Sequence, residues 1–331
     1  MNGLPDRRAL WRELLEDARW APSPHNVQPW LLRCRDDGTA EILIPTDRLL
    51  PDTDPGGRFT GSGIGCLVEG LAVAARAHRL ALTATSTGRV PGDKDPVVVL
   101  SLGPADEHTD ERALLRERRT SRLPFDGSPV EESLLDELSA LSAAAGHTWQ
   151  ASTDPELVRW IVELNRETLF LDMADPIARA EVGHWLRFSN AEAARRQDGF
   201  SANALGFPGW LLRLFFRRHA LLELPGIRQG ARWLYGRTTR GTRTIAWLRG
   251  PFETFEDGLA AGRLLMRLWL TMTREGVRLH PFGSVVTNPT ANGRLQARIE
   301  PGEGTLWLIM RLGRSAEPPR SHRREVDDLV A

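Results

Sequence analysis

The sequence predicts an α+β fold built from two tandem, diverged copies of one helix-and-strand unit, and three observations predict it. Residues 61–80 and 258–279 both read as long helices that turn briefly into a strand. Residues 97–103 and 306–313 both read as apolar strands ending in Leu-Gly. At 331 residues, with 41% hydrophobic content and zero formal net charge, the chain suits one large globular domain or two modest ones. Chance likeness between two generic helix–strand pairs is the competing explanation; duplication accounts for the shared order as well. The expected boundaries are 1–104 for the first half and 105–331 for the second.

Each element follows from local pattern. Leu10, Leu14, Leu15 and Ala18 fall on one face of a helix over 10–20. Short strands over 30–34 and 40–44 flank an Asp36-Asp37-Gly38 turn. In the 61–79 helix, Gly65, Gly70, Ala72 and Ala75 would let another helix approach closely. The Gly61-Ser62-Gly63-Ile64-Gly65 run lacks a preceding apolar strand and carries Cys66 where a third glycine belongs, so a dinucleotide loop is rejected. Strands are expected over 81–85 and 97–102, the second apolar enough to be central. Further helices are expected over 106–117 and 130–145, then a strand over 147–152. Asp154-Pro155 signals an N-cap with proline at the first helical position. Residues 198–241 form an insertion rich in Gly, Pro, Arg and Trp, and 210–222 within it is a basic amphipathic segment. Strands over 244–248, 278–286 and 305–312 and a helix over 254–274 complete the second half.

Composition excludes several function classes. Zero net charge gives no electrostatic reason to bind nucleic acid. Lys94 is the only lysine, and 42 of the 43 basic residues are arginine, so an arginine pair alone is weak evidence of a site. Cys34 and Cys66 are too few for a disulfide framework, and the first eleven residues carry no apolar run of signal-peptide type, which points to a cytoplasmic protein. No apolar segment is long enough to span a bilayer, so no stable membrane insertion is expected. The eight histidines show no paired ligand spacing, and neither a G-x-S-x-G elbow nor a P-loop is present.

Two stretches can carry chemistry. Ala21-Pro22-Ser23-Pro24-His25-Asn26-Val27-Gln28-Pro29-Trp30 is stiffened by three prolines and displays Ser23, His25, Asn26 and Gln28. It suits either a capped surface turn or a loop that reads the polar edge of a flat heteroaromatic ring. Arg118, Arg119, Ser121 and Arg122 sit between two helical patterns, as a solvated charge run or a phosphomonoester clamp.

The A-P-S-x-x-N-x-Q-P-W loop resembles the flavin-edge loop of the FMN-dependent nitroreductase family, and Arg118–Phe125 resembles that family's phosphate-binding stretch. In the family these belong to different subunits of an obligate dimer; here one lies in each half. The complementary pair is degenerate: residues 4–12 lack the arginine–serine pattern, and 143–149 lack the P-S…N…Q signature. Leu123 also stands where a basic residue is often found, with Arg122 one position early. The arrangement is similar to the fused-dimer, Acg-like branch of the family. The resemblance implies a nitroreductase-like fold with an intramolecular pseudo-dimer, one FMN site and a helical lid at about 198–241. It implies that Ser23, His25, Asn26 and Gln28 face the flavin edge and that backbone at Pro281, Phe282 and Gly283 orients N5. Arg118, Arg119, Ser121, Arg122 and Arg314 would hold the phosphate. Partners would be NAD(P)H and a nitroaromatic, quinone or related acceptor, in a monomer or weak homo-oligomer, with no metal and no side-chain acid or base. Members of that branch are also suggested to bind FMN under a lid without reductase activity, which leaves sequestration as the second reading and a flavin-free scaffold as the third. The 210–222 segment serves either as the lid or as a membrane-surface contact.

Overall fold

A computed structural model of the chain describes residues 7–89 and 94–331; Leu4, which opens the degenerate 4–12 stretch, lies outside them. The chain divides into two units. One runs to Arg118 and adds residues 253–270 and 322–331; the other comprises 119–252 and 271–321.

In the first unit, strands β1 (Leu31–Cys34), β2 (Ala40–Leu43), β3 (Leu80–Ser86) and β4 (Val98–Pro104) form an antiparallel sheet in the order β1-β2-β4-β3. The apolar strand β4 is interior, as its composition predicts. Trp11, Leu14 and Leu15 of the helix Arg7–Ala18 join Ile42, Ile64, Leu67, Leu71 and Val98 in one core. The helix Arg58–Arg76 starts on the carboxylate of Asp54, which accepts bonds from the amides of Phe59 at 3.1 Å and Thr60 at 2.7 Å. Burial nonetheless pushes the Asp54 carboxyl above its usual value. The tail covers the edge of β1: the Leu32 amide donates to Leu329 O at 2.7 Å and the Ala331 amide to Leu32 O at 2.9 Å.

Glycine allows two helices of this unit to touch by backbone. A Cβ at Gly65 would lie 2.1 Å from Leu259 O, and one at Gly262 would lie 2.0 Å from Ser62 O. Gly61 and Gly258 repeat the relation one turn earlier, at 2.5 Å from Phe255 O and 2.1 Å from Arg58 O. The Gly61–Gly65 run is therefore helix interior, spaced to receive residues 255–263 of the helix Phe255–Arg274. Cys66 donates to Gly262 O at 3.2 Å in this contact, and burial pushes its thiol up to about 12.

In the second unit, β5 (Thr148–Ser152), β8 (Thr244–Gly250), β9 (Arg278–Pro281) and β10 (Thr305–Gly313) form an antiparallel sheet ordered β5-β8-β10-β9. Strands β8 and β10 are buried along almost their whole length. The sheet order matches the first unit's, first, second, fourth, third, and in chain order a long helix follows the second strand of each sheet. Asp154 caps the helix Pro155–Asp172 as expected, accepting from the Glu156 and Leu157 amides. The insertion is mostly helical, with Gly209–Arg217 and Pro225–Thr238 its main helices. A buried Arg187–Asp198 pair with 2.6 and 3.0 Å bonds joins β6 (Leu186–Arg187) to the turn before β7 (Phe200–Ser201).

Three sequence expectations need correction. The helix read over 106–117 covers only Arg112–Glu117, because the charged residues before it have no apolar face to bury. The strand read over 278–286 ends at Pro281, and Gly283–Thr287 is a short helix. The basic amphipathic segment read over 210–222 is not continuous: its helix stops at Arg217, and His219–Glu223 is a 3₁₀ turn.

Candidate functional site

In the first unit, the Ser23–Trp30 loop holds three non-glycine residues in the left-handed region: His25 (φ 49°), Asn26 (φ 56°) and Gln28 (φ 51°). Such residues cost on the order of 1 kcal/mol or more each and persist only where surrounding bonds enforce them. Those bonds are present. The Asn26 and Val27 amides donate to Ser23 O and Pro24 O, both at 3.0 Å. The Gln28 amide donates to Ser23 Oγ at 3.0 Å, and Arg48 Nη1 donates to Val27 O at 2.6 Å. Gly63 lets the loop lie on the 58–76 helix, since a Cβ there would come within 3.2 Å of Ser23 Cβ.

The side-chain amides of this loop face the chain's own tail. Asn26 Nδ2 donates to His322 O at 3.1 Å, and Gln28 Oε1 accepts from the Arg324 amide at 2.8 Å. Arg323 is buried and donates to Trp20 O at 3.3 Å and Ala21 O at 3.2 Å. Arg118 is buried too: it donates to Trp20 O at 2.7 Å and stacks 4.3 Å over the Trp269 ring. Burial pushes its guanidinium down to about 10, and it acts here as a packed strut under the loop.

In the second unit, the expected arginines divide. Arg119 pairs with Glu317 at 2.6 Å and donates to Pro318 O at 2.8 Å. Arg314 pairs with Glu131 at 2.9 Å, which holds the Glu131 carboxyl below its usual value. Ser121 is fully buried, its hydroxyl 2.8 Å from Ser315 Oγ. Arg122 has no carboxylate partner among the described residues; its guanidinium lies 5.3 Å over the Phe200 ring, and burial pushes it down to about 10.

A residue that the motif reading missed completes this group. Arg311 of β10 is wholly buried, donates to Ser121 O at 3.1 Å and Leu123 O at 2.9 Å, and stacks 4.2 Å over Phe125. It too lacks a carboxylate among the described residues, and burial, with Arg122 adding repulsion, pushes it down to about 10. Its Nε donates to His280 Nδ1 at 3.1 Å, a bond that requires neutral imidazole with the proton on Nε2. A charged residue inside the apolar run 306–312 was the available signal, because arginine is almost never fully buried without partners. Arg311 meets Ser121 through its carbonyl while the hydroxyl lies against Ser315 Oγ, and guanidinium groups without carboxylates are what a phosphomonoester dianion attracts.

The Pro281–Gly283 backbone is partly committed. Pro281 pairs with Met310 across the sheet, and the Phe282 amide donates to Ile309 O at 2.8 Å. Gly283 is open, with nothing within 4 Å of where a Cβ would stand.

Burial first, and then Arg311 and Arg122, push His280 well below its ordinary value near 6.5. The folded state therefore binds this proton more weakly than the unfolded state. Stability from His280 is full above the unfolded value and falls as the pH drops below it, by about 1.4 kcal/mol for each pH unit. Urea unfolding at pH 7.5 and 5.5 is expected to show a shallower acid loss for His280→Asn than for the unchanged chain.

Sequence comparison places the chain beside NAD(P)H nitroreductases. It is 27% identical over 297 residues to a Serratia protein provisionally named NAD(P)H nitroreductase PigM, covering 83% of this chain and 80% of that one. It is 36% identical over 115 residues to a Mycobacterium tuberculosis protein provisionally named NAD(P)H nitroreductase acg. That match spans 33% of this chain and only 34% of the relative's length. No family model matches. Among solved structures, a nitroreductase with bound FMN from Desulfitobacterium hafniense overlays with a TM-score of 0.41 at 12% identity, covering 67% of this chain and 98% of that one. The nitroreductase NfnB of Mycobacterium smegmatis, in complex with NADPH, overlays at 0.38 and 17% identity, covering 63% and 92%. No helix among the described residues is long and apolar enough to cross a membrane.

Proposed function

We propose that the chain is an FMN-binding oxidoreductase of nitroreductase type that takes hydride from NAD(P)H and passes it to a nitroaromatic, quinone or related acceptor. The observation that carries this reading is wholly buried Arg311 and half-buried Arg122, near enough to repel each other and neither with a carboxylate partner among the described residues. Arg122, Arg311 and the Ser121 hydroxyl would hold the FMN phosphate. Arg119 and Arg314 would reach it only by exchanging Glu317 and Glu131, which places them second. The Gly283 backbone is exposed, with nothing within 4 Å of its Cβ position, so it is free to meet a flavin edge. The edge role of the Ser23–Trp30 loop rests on its sequence resemblance and its strained backbone, since the Asn26 and Gln28 amides hold the tail. Bound FMN would supply the two-electron redox chemistry, and the protein's share is orientation and electrostatics. The common strand order of the two sheets supports descent by duplication.

One observation favours sequestration as the second reading: the insertion's Phe200 lies over Arg122, and its Tyr235 is buried close enough to Arg122 and Arg311 to feel their charge. The test is an absorbance spectrum after FMN addition and desalting, then anaerobic NADPH. Retained flavin that bleaches within a turnover time supports the reductase, and retained flavin that stays yellow supports sequestration. Loss of all flavin bands on desalting would refute both.

A further inference from the structure

We propose that the outer face of the insertion docks reversibly on the surface of an anionic phospholipid bilayer. Among the described residues, the exposed large hydrophobics are Leu171, Ile177, Trp210, Leu214, Leu224 and Trp233, all in the second unit and four of them inside the insertion. Trp210 is 71% exposed and Trp233 59%, a large apolar cost in water with no covering element in the unit.

The pattern on the helix Gly209–Arg217 is specific. Leu212 and Phe215 turn inward to small clusters with Leu186, Ala202, Leu222 and Ala231. Trp210, Arg213, Leu214 and Arg217 are all exposed and fall at i, i+3, i+4 and i+7, which is one stripe of the helix. The helix thus has an apolar face inside and a mixed Trp/Leu/Arg face outside. On the helix Pro225–Thr238, Trp233 and Arg237 stand one turn apart on the exposed side, with the guanidinium 5.2 Å from the ring. Tryptophan beside arginine is the pairing that settles at a bilayer interface, with the ring at headgroup depth and the cation on phosphate.

Charge selects the occupant. Residues 199–240 hold seven arginines (213, 217, 218, 228, 232, 237 and 240) and a single acid, Glu223, in a chain whose formal net charge is zero. Only Arg213 and Arg232 find carboxylates among the described residues, Glu192 at 3.9 Å and Glu163. Arg217, Arg218, Arg228 and Arg237 are exposed and have no such partner. A second copy of the same face would bring like charges together, whereas an anionic headgroup layer neutralises them and accepts the indole rings. The absence of any bilayer-spanning helix among the described residues makes this a peripheral, reversible contact.

The full chain should be sedimented with vesicles of phosphatidylcholine alone and of phosphatidylcholine with phosphatidylglycerol, at low and near-physiological salt. The expected result is pelleting with the anionic vesicles only, weakened by salt. Arg217→Gln with Arg218→Gln should lower the partition coefficient by about tenfold or more. Trp210→Ser with Trp233→Ser should lower it further without restoring it at low salt, while circular dichroism reports an unchanged fold. Equal pelleting with both vesicle types, no pelleting with either, or a light-scattering mass that shows a dimer abolished by the tryptophan substitutions would each overturn the proposal.

Discussion

Gly262→Val is expected to leave no stably folded first unit. Its Cβ would stand 2.0 Å from Ser62 O and 2.7 Å from Ser62 C, atoms of a helix backbone that no rotamer change can move. The helices could make room only by parting along their length, which would also loosen Gly65 against Leu259 and Gly258 against Arg58. It would draw Ile64, Leu67 and Met266 out of the core they share. Overpacking of ordinary cores costs about 1–3 kcal/mol, and a clash with fixed backbone belongs at or above the top of that range. The comparison variant is Gly230→Ala. Gly230 lies within the helix Pro225–Thr238, has no positive φ, and has nothing within 4 Å of its Cβ position. Alanine there should gain about 0.5–1 kcal/mol by restricting the unfolded chain. Urea midpoints of the two variants should move in opposite directions; a tolerated Gly262→Val would refute the backbone-to-backbone account of the glycine spacing.

The glycine spacing was legible in part, because helix periodicity and small side chains are local: Gly65 meets the 255–274 helix as read, while Gly70 meets Ala18 instead and Gly61 joins the contact unread. The Asp154-Pro155 cap was legible in full. Strand β4 was legible as an interior strand of the sheet from its apolar run, although Val99 and Ser101 on its outer face are not buried. Other features depended on partners far along the chain. Asn26 and Gln28 meet backbone 296 positions away, at His322 and Arg324, and nothing near the loop announces the tail. The Arg118–Arg122 stretch read as one clamp, but it is divided by what each guanidinium packs against: Trp269 for Arg118, Glu317 for Arg119, Phe200 for Arg122. Arg311 was missed because motif matching looked after the last strand, at Arg314, where the side chain reaches Glu131 at the surface. A count of charges inside apolar strands, rather than beside them, would have found it.

Arg122→Met separates the two roles a half-buried, unpaired charge can play. In the ligand-free protein Arg122 has no acid partner among the described residues, sits near the equally uncompensated Arg311, and is held down by burial. Removing it removes a desolvation cost and a like-charge repulsion, while methionine keeps most of the volume under Phe200. The ligand-free unfolding temperature should therefore hold or rise. If the proposed phosphate site is correct, FMN affinity should fall in the same variant, because a charge-assisted contact to phosphate contributes about 1.5–3 kcal/mol, on the order of ten- to hundredfold in Kd. Arg311→Met is expected to behave differently. That guanidinium satisfies Ser121 O, Leu123 O and His280 Nδ1, so its loss should weaken both the fold and the ligand site. Fluorescence titration with FMN and thermal unfolding without it distinguish the two. An Arg122→Met protein that is less stable and binds FMN unchanged would mean that Arg122 is a structural residue and that the phosphate is held elsewhere. A gain in stability with a loss of affinity is the signature of a site that keeps unpaired charge in place for its ligand.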